Sequence, residues 1–388
     1  MTKLGDMALL PAGFQDVLPH QAAQEAAVIE KLIACFTAHG YERVKPPLLE
    51  FEETILAGAG AAVAQQTFRL MDPVSRRMMG LRADMTPQVA RIAATRLKNA
   101  PRPLRLCYGG QVLQVKGSQL RPERQFAQVG AELIGAGVER ADAEVVLLAA
   151  EALGTLGIEG LSVDLNLPPL VAALAEDLGI AGPRVEALRQ ALDRKDAAAV
   201  AEIAGAGPGP FQGLLRAVGP AEDALQALND LALGDAAAAE VARLERVLTL
   251  IRAAAPELIL TVDPAEHRGF EYQTGISFIL FARGVRGELG RGGRYAADPL
   301  NGAVDGAAES STGFTLFMDS VQRALPAPET PRRLYLPAEC DPERGRALRA
   351  QGWVTLAGLE SGTDAAAEAR RLGCGHALID DRIVALED

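Results

Sequence analysis

Several residue types that mark particular protein classes are scarce in this 388-residue chain. Its four cysteines are scattered, with no Cys-x-x-Cys pair and no histidine pattern nearby, which argues against structural zinc and a disulfide framework. No apolar run approaches the ~20 residues of a membrane helix, and the N-terminal residues lack the pattern of a signal peptide. We therefore predict a reduced, cytoplasmic protein with no metal site and no membrane contact.

Basic residues are also fewer than acidic residues. Lys and Arg number 39 against 50 Asp and Glu, which gives a formal net charge of -11. Nucleic-acid binding needs clustered Lys and Arg to neutralise phosphates, so this balance disfavours a free-standing nucleic-acid binder. What is present is ordinary globular composition, 49% hydrophobic and 23% charged, with enough length for two or three compact units.

Local patterns predict both helices and paired strands. Apolar residues at helical spacing predict a long amphipathic helix over residues 21–39, with Gly40 as its stop. Two β-prone runs, 104–116 and 123–134, flank an interval rich in Gly, Ser and Pro, which predicts an antiparallel hairpin. Helix and strand signals therefore both occur within the N-terminal third of the chain.

Three motifs carry most of the functional information. In the predicted hairpin, a pattern R-x-F-x-Q-x-G-x-E is formed by Arg124, Phe126, Gln128, Gly130 and Glu132. Upstream, the segment LRADMT contains Asp84 and Thr86, and a carboxylate beside a hydroxyl can receive an ammonium group through charge-assisted hydrogen bonds. Downstream, the segment EHRGFEYQTG contains Arg268 and Tyr272.

In this order and spacing, the motifs resemble class II aminoacyl-tRNA synthetases, and the third resembles a signature of the histidyl-tRNA synthetase branch. The resemblance covers residues 11 to 323 approximately. It implies an α+β fold, in which a class II synthetase-like antiparallel sheet is flanked by helices. On this basis we assign residues 1–326 to the core, with a helical insertion at about 170–256. Alternating strand-like and helix-like pieces predict a small C-terminal α/β domain over 327–388.

A further segment, YERVKPPLLE from Tyr41, resembles the first class II motif. That motif builds the dimer interface in the synthetases, so the resemblance implies a homodimer. The alternative is that Pro47 simply occupies a strand edge, where its missing amide proton does no harm.

The nucleotide half of the synthetase site is not preserved. Where the family has arginines that hold the α- and γ-phosphates of ATP, this chain has Gln114 and Ser320. Phe317 and Asp319 replace a glycine and a glutamate of the third motif. Removing one preorganised donor at a reacting centre typically costs about 10² to 10³ in rate. We therefore predict no catalytic residues, no cofactor and no activation of histidine.

A synthetase-like chain with these departures resembles the ATP phosphoribosyltransferase regulatory subunits. That resemblance implies a non-catalytic partner of the short catalytic phosphoribosyltransferase, in a hetero-octamer at the first step of histidine biosynthesis. It also implies feedback by histidine and no tRNA ligand. By motif carry-over it implies an effector pocket formed by Asp84, Thr86, Gln128, Glu132, Arg268 and Tyr272.

Other interpretations of the same residues stay open at this level. Asp84 or Thr86 could cap a helix over 87–98, and the six pocket residues could form a buried polar network that binds nothing. The chain could also be a divergent histidyl-tRNA synthetase, or a synthetase-derived ligase that joins an amino acid to another acceptor. Both enzymes would need the ATP contacts that are missing.

Overall fold

A computed structural model describes most of the chain, namely residues 9–118, 121–205, 209–266, 273–297, 308–326 and 331–386. The chain divides into two compact units, Met1–Pro326 and Ala327–Asp388. Among the described helices, none combines the length and the apolar character that crossing a lipid bilayer requires.

The first unit is built on two sheets. Its strands, in chain order, are β1 (Glu42–Arg43), β2 (Leu49–Phe51), β3 (Arg69–Met71), β4 (Met78–Leu81), β5 (Leu104–Leu113), β6 (Gln125–Ile134), β7 (Leu161–Asn166), β8 (Gly219–Pro220), β9 (Ile259–Asp263), β10 (Gln273–Ala282), β11 (Gly290–Ala297) and β12 (Glu309–Phe317). Nine of them form one sheet in the order β1-β5-β6-β12-β11-β10-β7-β9-β8, and the other three form a small sheet in the order β2-β4-β3. Pairs β1–β5 and β7–β9 are parallel and the remaining pairs are antiparallel.

Helices surround this sheet. In chain order they are α1 (Pro19–Ala38), α2 (Glu52–Ile55), α3 (Thr86–Thr95), α4 (Glu139–Thr155), α5 (Pro168–Asp177), α6 (Pro183–Asp193), α7 (Ala197–Ala204), α8 (Pro210–Arg216), α9 (Ala221–Asn229), α10 (Asp235–Ala254) and α11 (Met318–Ala324), with a 3-10 helix at Gly58–Gln66. Helices α5 to α10 lie within the stretch predicted as a helical insertion. The predicted fold class, an α+β synthetase-like antiparallel sheet flanked by helices, is confirmed.

The first predicted helix ends where the sequence indicated. Gly40 adopts φ 81°, the left-handed conformation that favours glycine. The amides of Gly40 and Tyr41 donate to the carbonyls of Thr37 and Phe36, which is the Schellman pattern of a helix end. Pro47 follows β1 and lies in neither β1 nor β2, so the strand-edge interpretation of this proline does not hold.

The predicted hairpin is strands β5 and β6, in register from Leu104 opposite Ile134 to Leu113 opposite Gln125. Side chains alternate between the two faces of a strand. On β6, Val129 and its alternate neighbours pack in the large core that includes α1 and α4. Phe126 packs in a second core with Met85 and Val89 of the α3 region, so this opposite face of β6 is the one that meets α3.

The second unit is a small α/β structure. Its strands are β13 (Arg333–Leu336), β14 (Val354–Ala357), β15 (His376–Ile379) and β16 (Arg382–Ala385), and its helices are α12 (Pro342–Ala350) and α13 (Ala365–Arg371). The sheet order is β14-β13-β15-β16, parallel except for the last pair. Leu348 and Trp353 pack in one apolar cluster of this unit, and Tyr335 and Ala369 pack in another.

Candidate ligand-binding site

A cavity of about 60 Å³ lies beside the N-terminal end of α3. Four of the six predicted pocket residues line it: Asp84, Thr86, Gln128 and Glu132. The other two, Arg268 and Tyr272, lie outside the described residues. Small-molecule sites typically measure about 300 to 1,000 Å³, so this space is small and suits a single polar group of a ligand, such as an ammonium.

Glu132 is the most enclosed charged group of the cavity, with 1% of its surface exposed. Its Oε1 accepts hydrogen bonds from the hydroxyls of Thr86 at 3.0 Å and Tyr108 at 3.2 Å, and its Oε2 accepts one from Tyr295 at 2.9 Å. Burial raises the pKa of Glu132 to about 8, and the hydrogen bonds from Tyr295 and Thr86 lower it only in part, while nearby Asp84 raises it further. An ammonium group in the cavity would favour the ionised form of this carboxyl.

Two glycines make room for these side chains. A Cβ at Gly130 would lie 2.5 Å from the hydroxyl of Tyr108, and a Cβ at Gly313 would lie 1.8 Å from Oε2 of Glu132. Gly313 is directly opposite Glu132 in the β6–β12 ladder. The same Cβ at Gly130 would lie 2.3 Å from the carbonyl oxygen of Phe314, so the glycine of the hairpin motif is explained by the close approach of this backbone and of the Tyr108 ring.

Asp84 lies at the same end of the cavity as Glu132. Its carboxylate accepts the amide of Thr86 at 3.3 Å and is hydrogen-bonded by the Gln128 side chain, whose Oε1 accepts the amide of Met85 at 3.1 Å. Removal from water raises the pKa of Asp84, and these hydrogen bonds offset the rise only in part. Helix α3 begins at Thr86, and its N-cap residue, Met85, has no side-chain cap bond, so neither predicted capping residue occupies that position.

Several lining residues were not predicted as pocket residues from the sequence. Gln273 begins β10, and its buried Oε1 has no hydrogen-bond partner in the described part of the chain. Arg291 and Tyr295, both on β11, also line the cavity. The G-G-R-Y run that contains Tyr295 could have indicated a strand facing the site, but by itself it is equally typical of a glycine-rich turn.

Phe317, which lines the cavity, is stacked against an arginine from the loop between β5 and β6. The guanidinium of Arg121 lies 3.7 Å from the ring centroid of Phe317 and 5.1 Å from that of Phe126. Its Nε donates to Asp319 at 3.1 Å, and a terminal nitrogen lies 3.6 Å from Glu288. The positive charge of Arg121 is therefore balanced by acidic neighbours.

The two positions that replace the synthetase arginines make local contacts. The side-chain amide of Gln114 donates weakly to the carbonyl of Ala83 at 3.5 Å. Ser320 is buried, and its hydroxyl accepts a hydrogen bond from Arg323 at 3.0 Å. Arg291, which lines the cavity, is paired with Glu288 at 2.7 Å.

Comparison with known proteins places this geometry in a family. The family model described as histidyl-tRNA synthetase matches residues 13–321. An ATP phosphoribosyltransferase regulatory subunit of Paramagnetospirillum magneticum is 56% identical, with 100% of each chain covered. One of Rhodospirillum centenum is 55% identical over 98% of this chain and 97% of the relative. The chain belongs to the ATP phosphoribosyltransferase regulatory subunit family.

A solved structure agrees with this assignment. A Bacillus halodurans protein described as an ATP phosphoribosyltransferase regulatory subunit/histidyl-tRNA synthetase superposes with a TM-score of 0.79 at 25% identity, covering 94% of this chain and 96% of that one. The predicted resemblance to the regulatory-subunit family, and through it to the synthetases, is confirmed.

Proposed function

We propose that this chain is a non-catalytic regulatory subunit, which binds histidine in the cavity beside α3 and controls a catalytic ATP phosphoribosyltransferase at the first step of histidine biosynthesis. The proposal rests on one observation: the same cavity is lined by Asp84, Thr86, Gln128 and Glu132. The names of the relatives supply the partner enzyme.

The chemistry of the cavity suits the α-ammonium group of an amino acid. Burial raises the pKa of both Glu132 and Asp84, and the negative charge of Asp84 raises the pKa of Glu132 further. An ammonium between them would neutralise that repulsion and gain charge-assisted hydrogen bonds, with Thr86 as a further oxygen acceptor.

The imidazole of histidine has a candidate partner at the other side of the cavity. The Oε1 of Gln273 is a buried acceptor without a partner among the described residues, and leaving such an atom unpaired typically costs about 1–3 kcal/mol. An imidazole N–H donating to it would satisfy the group. We keep Arg268 and Tyr272, from the third motif, as the proposed contacts of the ligand carboxylate and ring.

We infer the absence of catalysis from the way in which the positive charges near the cavity are paired. Transfer to or from ATP requires unpaired positive charge directed at the reacting phosphate. Arg121 faces Asp319 and Glu288, and Arg291 faces Glu288, so each of these cations already has an acidic partner. Their positive charge is therefore not available to a triphosphate, and we propose that the chain binds no cofactor.

Association is the remaining part of the proposal. Apolar side chains are exposed on and near the small sheet, with Met71 63% and Val74 90% exposed, and Leu48 precedes β2 at 48%. Exposed apolar groups on one surface favour contact with another protein. They support the homodimer implied by the first class II motif, and the hetero-octamer with the catalytic subunit follows from the family resemblance.

Calorimetry with histidine tests the pocket directly. Wild-type protein should bind histidine with one site per chain, and Glu132→Gln should weaken binding at least tenfold because it removes the anionic partner of the ammonium. Glu144→Gln is the matched control, since Glu144 pairs with Arg105 outside the cavity. Equal affinities in wild type and Glu132→Gln would remove the pocket from the proposal.

Reconstitution tests the regulatory role separately. Adding the chain to the purified short catalytic subunit should raise ATP phosphoribosyltransferase activity, and histidine should inhibit the complex but not the Glu132→Gln complex. Histidine-dependent ATP–pyrophosphate exchange by the chain alone would instead identify a divergent synthetase.

A further inference from the structure

A cluster of metal-ligating side chains lies away from the cavity, where α1 meets α4. It consists of Cys35 and His39 on the last turn and C-cap of α1, and Glu151 on α4. One possible ligand atom from each residue lies within 4.8 Å of those from the other two. We propose that these three side chains bind a divalent transition-metal ion, most favourably zinc. The fourth coordination position of the ion is open to solvent.

The spacing of the first two ligands supports this site. Residues four apart in a helix lie one above the other on the same face, so Cys35 and His39 project together. Both stand at the C-terminal end of a helix of 20 residues, where the helix dipole favours a cation. Glu151 adds a full negative charge from a neighbouring helix.

The hydrogen bond of the imidazole fixes the direction of its free nitrogen. Nδ1 of His39 lies 3.0 Å from the carbonyl oxygen of Cys35, so Nδ1 carries the proton that it donates. Nε2 then faces Oε2 of Glu151 at 3.3 Å. A lone pair opposite a carboxylate is repulsive unless a cation lies between them, either a second proton on the ring or a metal ion. A backbone carbonyl that orients a histidine is also a recurrent feature of metal sites.

The distances suit a tetrahedral ion. Nitrogen and oxygen ligands at the usual zinc distances of about 2.0–2.2 Å are separated by about 3.4 Å across a tetrahedral edge. The 3.3 Å between His39 and Glu151 is close to that edge, and it is longer than the ~2.7–2.9 Å of a strong charge-assisted hydrogen bond. The cysteine sulfur, at most 4.8 Å away, reaches a zinc edge of about 3.6 Å by a shift of about 1 Å.

The exposure of the cluster leaves room for exchange. Side chains of His39 and Glu151 are 39% and 57% exposed, and both border a broad groove between α4, α10 and β9. Three protein ligands with an accessible fourth position are typical of exchangeable or reactive zinc sites. The sequence predicted no metal site because its two ligand-bearing helices are far apart in the chain, so spacing rules do not connect them.

Cobalt titration of the untagged, chelator-treated protein tests the site without any variant. One equivalent of Co²⁺ should produce the intense visible bands of a tetrahedral ion and a thiolate-to-cobalt charge-transfer band, and Zn²⁺ should abolish both. The absence of the thiolate band in the wild-type protein would overturn the proposal.

Zinc affinity, measured by competition with a chromophoric chelator, then assigns the ligands. Cys35→Ser and His39→Ala should each weaken Zn²⁺ binding by about 100-fold. Loss of a residue that only orients a ligand weakens metal binding by about 10- to 100-fold, and loss of a ligand itself should reach the upper end of that range. Cys340→Ser and His20→Ala are matched controls, since Cys340 is the other half-exposed cysteine and His20 lies at the opposite end of α1. Unchanged affinity in Cys35→Ser would also overturn the proposal.

Discussion

The buried carboxyl of Glu132 gives the strongest prediction about stability. Its pKa is about 8 in the folded protein and 4.5 ordinarily, mainly because burial penalises the charged form. The folded state therefore binds this proton more tightly than the unfolded state does. The resulting stabilisation is fully present below about pH 4.5 and is lost as the pH rises through about 8.

The size of the effect follows from the same values. Each pKa unit corresponds to about 1.4 kcal/mol, so full ionisation of Glu132 lowers the free energy of unfolding by up to about 5 kcal/mol. Relaxation of the surroundings around the charge reduces this figure. Glu132→Gln keeps the volume and has no charge to develop, so its stability should fall much less between pH 5 and pH 8.

Urea unfolding at fixed protein concentration measures this difference. Far-UV circular dichroism follows the whole chain, and the fluorescence of Trp353, the single tryptophan, reports on the second unit alone. Glu144→Gln is the control, because its hydrogen bond from Arg105 holds the pKa of Glu144 below the ordinary value and outside this pH window. Identical pH slopes for wild type and Glu132→Gln would refute the reasoning.

Three further outcomes are expected. Gly313→Ala should weaken histidine binding at least tenfold in calorimetry, because its Cβ would lie 1.8 Å from Oε2 of Glu132; unaltered affinity would contradict this. Arg294→Met should lower the free energy of unfolding by about 3–5 kcal/mol in urea titrations, since it leaves Asp142 buried and unpaired. Arg121→Ala should destabilise the first unit similarly and produce no ATP–pyrophosphate exchange, and exchange by this variant would show that only the arginine blocks catalysis.

Much of the candidate site was accessible from the sequence because of strand periodicity. Gln128 and Glu132 are four residues apart on one strand, and an even separation places both on the same face. The hairpin and the helix after Thr86 were predictable from local patterns. The family resemblance was then enough to predict that their residues lie close together. The cavity then followed from strands that the motifs themselves specify.

Other features depend on contacts that local patterns do not encode. Arg121 lies in the connection between β5 and β6, and its stacking on Phe317 joins residues far apart in the chain. The Oε1 of Gln273, which has no hydrogen-bond partner among the described residues, is recognised only once neighbouring strands are in place. The side chains of Cys35 and Glu151 likewise meet only through the packing of α1 on α4. Tertiary packing, rather than propensity, decides each of these.

The position of Glu132 in the middle of the large sheet has a consequence for experiments. Strand β6 is hydrogen-bonded to β5 on one side and to β12 on the other, so its amides are expected to exchange with deuterium only in the rarest openings. A bound metabolite can add little protection to amides that are already so slow. Ligand binding should therefore slow amide exchange mainly around the start of α3. The exchange rate of the Glu132 amide should hardly change.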